Sequence, residues 1–113
     1  MSLAKLAVEP ATMARFFRVL GDPTRIRLIE ALEQGERSVG ELVALLDMRQ
    51  PRVSTHLACL RHCGFVEARR QGKEVIYRLT LGDLHRLLDE AAEIMGPLAE
   101  RLATCDRVGP DWI

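Results

Sequence analysis

The chain has 113 residues, enough for one domain with a modest core and small enough to favour pairing with a second copy. No run of eighteen apolar residues occurs, which excludes a helical membrane span. The first residues lack the uninterrupted apolar core of a signal peptide, so a cytoplasmic protein is expected, and there three cysteines fit ligands or inert thiols better than a disulfide framework.

The net charge of zero hides a partition. Between Arg49 and Arg78 seven basic residues meet only two acids, Glu67 and Glu74, leaving +5, while the segments before and after carry −1 and −4. A basic block inside a neutral chain is an electrostatic footprint for phosphate.

In chain order, Glu9-Pro10 opens a first helix whose Met13, Phe16, Phe17 and Leu20 make one apolar face, with Gly21 placed to end it. Asp22-Pro23 supplies an N-cap and a first helical residue for a second helix, lined by Ile26, Ile29 and Leu32 and stopped at Gly35. Ser38 and Glu41 have the spacing of a capping box before a third helix that turns Val39, Leu42, Val43 and Leu46 inward. The short turn Asp47-Met48-Arg49 leads into Gln50–Gly64, where Pro51 suits the first turn and Val53, Leu57 and Leu60 form a buried stripe. Arg52, Ser54, Thr55 and Ala58 point away from that stripe. Two helices joined by so short a turn, the second polar outward and basic at its start, form a helix-turn-helix with a recognition helix. On the flank of that helix Cys59 and Cys63 stand one turn apart and can meet side by side.

After Gly64 the period changes. Phe65–Arg70 and Glu74–Leu79 are short strand candidates around Gln71-Gly72-Lys73, where Gly72 can take a positive φ. This basic hairpin is a wing, placed to touch phosphates or the minor groove. From Asp83 the helical period returns: Leu84, Leu87, Leu88, Ala91, Met95, Leu98 and Leu102 keep roughly a heptad spacing, a seam that a two-fold dimer would bury. Pro97 must kink or divide this helix. The expected fold is mainly α with a small β-hairpin, a winged helix-turn-helix made homodimeric through terminal helices. Residues 1–103 form the DNA-binding and dimerisation domain, and 104–113 form a tail that carries Cys105.

The expected partners are double-stranded DNA and a second copy of the chain, with no membrane. Gln50, Arg52, Ser54, Thr55 and His56 are placed to reach base edges or nearby phosphates, with Arg70 and Lys73 on the wing. No nucleophile–base spacing, glycine-rich phosphate loop or acid pair is present, so no enzyme is expected. A pure dimerisation module would need no basic wing.

The stretches LGDPTRIRLIEAL (Leu20–Leu32), ELVALLDMRQPRVSTHLACLRHCGFV (Glu41–Val66) and GKEVIYRL (Gly72–Leu79) resemble the ArsR/SmtB family of winged-helix repressors, over roughly residues 10–103. The resemblance implies a homodimeric repressor that sits on an inverted-repeat operator and leaves when a toxic metal ion binds. One branch of the family carries two cysteines in the third helix; here Val43 and Leu45 stand in their places. Another uses an Asp-x-His pair and a later histidine pair on the last helix; Asp83-Leu84-His85 supplies the first half, and no histidine follows. CLRHC (Cys59–Cys63) resembles the recognition-helix pair of the CmtR-type cadmium/lead sensors, which add a tail cysteine. That likeness implies a metal site of Cys59, Cys63 and Cys105, although the tail aligns only at Cys105 itself.

Three thiolates are soft ligands, suited to Cd(II) or Pb(II), with Hg(II), As(III) or Zn(II) as further candidates. Cd(II) or Zn(II) would want a fourth donor, water or His56. The competing reading keeps the fold and makes the same cysteines redox or persulfide sensors.

Overall fold

The computed structural model describes residues 7–108; the last part of the tail expected over 104–113 lies outside the described residues. The chain divides into two compact units between Thr80 and Leu81.

Among the described residues, the first unit contains four helices and a sheet. Helix α1 (Pro10–Val19) starts from Glu9 with proline in its first turn, as expected. Helix α2 (Pro23–Glu33) is capped by the Asp22 carboxylate, which accepts from the backbone N–H of Thr24 at 2.8 Å and of Arg25 at 3.3 Å. Its buried stripe differs from the expected one: Leu28 and Ile29 are fully enclosed and Leu32 nearly so, whereas Ile26 is half-buried. The helix is turned so that its apolar side lies on α3 (Val39–Leu46), α4 (Gln50–His62) and the strand β3 (Glu74–Leu79).

Helix α3 begins with the capping box read from its sequence. The Ser38 hydroxyl accepts from the Glu41 N–H at 3.1 Å, and the Glu41 carboxylate accepts from the Ser38 N–H at 2.9 Å. The bonds from the Ser38 backbone and hydroxyl hold the Glu41 carboxyl below the usual range. The helix ends at Asp47, which takes a left-handed φ of 52°, a conformation that aspartate tolerates better than most residues. Arg27 closes this end by donating from Nη2 to the Leu46 carbonyl at 3.1 Å. The turn into α4 is thus fixed from both sides.

Beyond α4, Gly64 (φ 85°) reverses the chain into β2 (Val66–Gln71), which pairs antiparallel with β3 from Val66↔Leu79 to Gln71↔Glu74. Gly72, at φ 64°, makes the two-residue turn between them. The hairpin is not alone. A two-residue strand β1 (Arg37–Ser38) adds to the other edge of β3, Arg37 opposite Tyr77 and Ser38 opposite Ile76, giving the order β1-β3-β2. Val53, Leu57, Leu60, Leu42, Phe65 and Val66 complete the core between helices and sheet. Phe65 meets Phe16 of α1 with ring centroids 5.3 Å apart.

The second unit is α5 (Leu84–Met95), a 3₁₀ turn (Gly96–Leu98) and α6 (Ala99–Ala103). Pro97 lies in the 3₁₀ turn and divides the helix, as its missing N–H requires. Leu84 is buried and Leu87, Leu88 and Ala91 are half-buried, but the stripe then opens: Ile94, Met95, Leu98 and Leu102 are exposed. Among the described residues no helix is long and apolar enough to cross a membrane.

Candidate nucleic-acid interface and thiol pair

Helix α4 is held by Val53, Leu57 and Leu60, none of which keeps any solvent exposure. Its opposite side is open. Gln50, Arg52 and Thr55 are exposed and Ser54 is half-buried. The Thr55 hydroxyl donates to the Pro51 carbonyl at 2.8 Å, so its only hydrogen is spent within the helix. Toward anything in front of α4, Thr55 therefore offers an acceptor lone pair and a methyl group.

The wing continues this surface, with Arg70 and Lys73 exposed near the turn. Two of its cations are engaged elsewhere. Arg69 is paired with Glu36 and also donates to Gln71, and Arg78 is paired with Glu67. Arg49, Arg52, Arg61, Arg70 and Lys73 have no acidic partner among the described residues. The +5 block is thus sorted by the fold into two arginines that tie the sheet and five cations that remain for a polyanion.

Cys59 is half-buried and Cys63 exposed, and both are free thiols. The Cys63 N–H donates to the Cys59 carbonyl at 3.0 Å. Burial pushes the Cys63 thiol up, the charge and hydrogen bond of Cys59 push the same way, and Arg25 opposes them. Two adjacent sulfurs, one of them open to solvent, fit a soft ion that approaches from outside. Cys105 is half-buried in the second unit, its N–H bonded to the Leu102 carbonyl at 3.3 Å. Among the described residues of one chain, no three His, Cys, Asp or Glu side chains form a group able to hold a metal. His85 is exposed, with Nδ1 3.0 Å from the Gly82 carbonyl, and Asp83 pairs loosely with Arg86 at 3.6 Å.

His56 occupies a different setting from its neighbours on α4. Its Nδ1 accepts from Arg25 Nε at 3.3 Å, and its Nε2 lies 3.8 Å from Asp22 Oδ1, with the side chain only 16% exposed. The ring is turned to α2 and away from the open face. No local spacing announces this, because the partners lie some thirty residues earlier in the chain.

Known proteins bear on this geometry. The family model described as "Bacterial regulatory protein, arsR family" matches residues 22–68, from the Asp22 cap through the start of the wing. A probable mercury resistance operon repressor from Streptomyces lividans is 51% identical over 75 residues; the match covers 66% of this chain and 58% of that one. The transcriptional regulator CmtR from Mycobacterium tuberculosis is 41% identical over 88 residues, 78% of this chain and 75% of its own length. Among solved structures, a homodimeric winged helix-turn-helix DNA-binding domain from Mycobacterium bovis superposes with a TM-score of 0.67 at 30% identity, covering 83% of this chain and 84% of that one. The capped α2 and the helix-turn-helix fall within residues 22–68, and the chain belongs to the ArsR family of bacterial regulatory proteins, whose members are DNA-binding transcription regulators and not enzymes.

Proposed function

We propose that the chain is a metal-responsive transcriptional repressor that binds an inverted-repeat operator as a homodimer and leaves it when a soft metal ion, Cd(II) or Pb(II) before others, binds Cys59, Cys63 and Cys105. The observation that carries this reading is the pair of free thiols one turn apart at the end of the helix whose other side carries Gln50, Arg52, Ser54 and Thr55. The effector and the DNA thus act on one rigid element. The CmtR and mercury-resistance relatives support a metal effector by their names.

On DNA, α4 lies in the major groove. Arg52 supplies a bidentate donor suited to guanine O6 and N7, and Thr55 supplies a methyl contact for thymine. Arg70 and Lys73 take flanking phosphates. His56 can join them only by giving up Arg25 and Asp22. The exposed stripe Ile94, Met95, Leu98 and Leu102 is the surface that a second copy covers. The tail beyond the winged domain of residues 1–103 then delivers Cys105 to the thiol pair, across the dimer.

A thiophilic ion supplies sulfur bonds strong enough to fasten tail to helix. The chain does the rest: Cys59 and Cys63 release their protons to water, Cys105 closes the site, and α4 is constrained against the groove. Metal and operator then oppose each other, and by reciprocity operator weakens metal binding by the same factor. The decisive measurement is anaerobic titration of the reduced protein with Cd(II), followed by sulfur-to-metal charge-transfer absorbance and by operator release.

The two free thiols one helical turn apart also favour a second reading, a redox-sensing repressor. An oxidant such as a persulfide would take two electrons and two protons from Cys59 and Cys63 and leave a disulfide. Operator release by oxidant but not by metal would select it.

A further inference from the structure

The core side of α4 is held by Val53, Leu57 and Leu60, and such aliphatic contacts have no direction. They tolerate a small rotation of the helix about its own axis. A base reader does not. A side-chain tip about 5–6 Å from the axis moves by roughly 1 Å for a roll of about 10°, whereas a hydrogen bond to a base edge has only about half an ångström of slack.

A polar contact supplies the missing direction. His56 lies beside Thr55 and one turn beyond Arg52 on α4. Its Nδ1 accepts from Arg25 Nε at 3.3 Å, which puts the proton of the neutral ring on Nε2, and Nε2 lies 3.8 Å from Asp22 Oδ1. Neither partner is loose. Asp22 Oδ1 also accepts from the N–H groups of Thr24 at 2.8 Å and Arg25 at 3.3 Å, which start α2. Arg25 Nη1 donates to the carbonyls that end α1, Val19 at 3.0 Å and Arg18 at 3.4 Å. A guanidinium is planar with its donors in a fixed fork, so the end of α1 sets the plane in which Nε is offered to His56. The middle of α4 is thereby keyed to two other helix termini.

We propose that Arg25 and His56 are positioning residues for DNA recognition: their bond sets the roll of α4, and with it the aim of Arg52 and Thr55, while His56 itself reads no base. This rests on the reading role given to α4 above and is independent of any metal.

The test uses the full reduced chain without metal and two duplexes of equal length, one that the parent protein selects from a randomised pool and one of scrambled sequence. Anisotropy titrations give the affinity for each and hence the preference between them. Arg25→Gln and His56→Ala should each lower the preference by roughly 5–150-fold, the discrimination that one bidentate base contact supplies. Affinity for the scrambled duplex should stay within about twofold of the parent, with the same salt slope. The double variant should lose no more than either single one, because both remove the same bond. His56→Asn offers an amide oxygen near the place of Nδ1 and should recover most of the preference that His56→Ala loses. Thermal melts identify a variant that fails to fold; if Arg25→Gln does, His56→Asn against His56→Ala carries the test. Additive losses in the double variant, or His56→Asn no better than His56→Ala, would make His56 a direct base reader and overturn the proposal. An equal loss on both duplexes with a lower salt slope would place Arg25 on a phosphate and also overturns it, as does parent-like preference in Arg25→Gln. A parent protein that selects no duplex sinks the reading role of α4 itself, which is a distinct result.

Discussion

Cys63 and Cys59 are joined by a backbone hydrogen bond of 3.0 Å at the C-terminal end of the recognition helix, which sets their two free thiols one turn apart. Binding and response can therefore be separated by mutation. Cys59→Ser and Cys63→Ser each nearly conserve volume and leave the reading face untouched, so operator affinity without metal should stay within a few-fold of the parent. Each should remain on operator when Cd(II) or Pb(II) is added. Cys105→Ser should keep weak two-thiolate binding and lose most of the response. Operator release against added metal checks all three; parent-like release by all three would place the effector elsewhere.

The pH dependence has a definite sign. Burial and Cys59 raise the Cys63 thiol, so the proton competes with metal over a wider range than at an ordinary thiol. Metal affinity should rise with pH, by up to about tenfold per pH unit for each proton displaced. Without metal the sign reverses: a thiol raised in the folded state makes the protein lose stability as pH climbs through the ordinary thiol range. Competitive titrations at several pH values, with Cys63→Ser as reference, measure the slope.

Arg52 and Lys73 are both without an acidic partner among the described residues, but their roles on DNA should differ. Arg52→Ala should cost about 1–3 kcal/mol on operator and much less on random sequence, as for loss of a bidentate base contact. Lys73→Ala should weaken both alike and lower the salt slope by roughly one. An unchanged operator preference after Arg52→Ala would remove it from the base readers.

Ser38 is buried, caps α3 and pairs with Ile76. Ser38→Ala should cost about 1–2 kcal/mol, since the Glu41 N–H loses its acceptor in a partly buried site. Leu60→Ala, at a position with no exposure, should cost about 2–5 kcal/mol. Chemical denaturation of the metal-free protein measures both, and the first should leave Cd(II) loading intact.

The signals written locally in the sequence were legible. Asp22-Pro23, the Ser38–Glu41 box, Gly72 and Pro97 each act within a few residues of where they stand, and each does what its chemistry requires. What was not legible depends on partners far along the chain. Strand β1 is two residues long and has no period to detect; it exists because β3 offers an edge. The burial of Leu28 in preference to Ile26 follows from how α2 is turned against three other elements. The same holds at the site: spacing set Cys59 beside Cys63 and Arg52 outward, but not the hold of Arg25 on His56 or the pairing of Arg69 with Glu36.

The pairing of Ser38 with Ile76 also has a consequence for how the chain folds. The hairpin β2–β3 is local and can close in about 1–10 μs. Joining β1 to it closes a loop of nearly forty residues, and that loop contains the whole of α3, α4 and the turn between them. A folding chain therefore gains this third strand late, after the helices it encloses have collapsed onto β3. Substitutions at Arg37 or Ser38 should accelerate unfolding far more than they slow refolding, whereas those in the α2–α4 core should slow refolding as well.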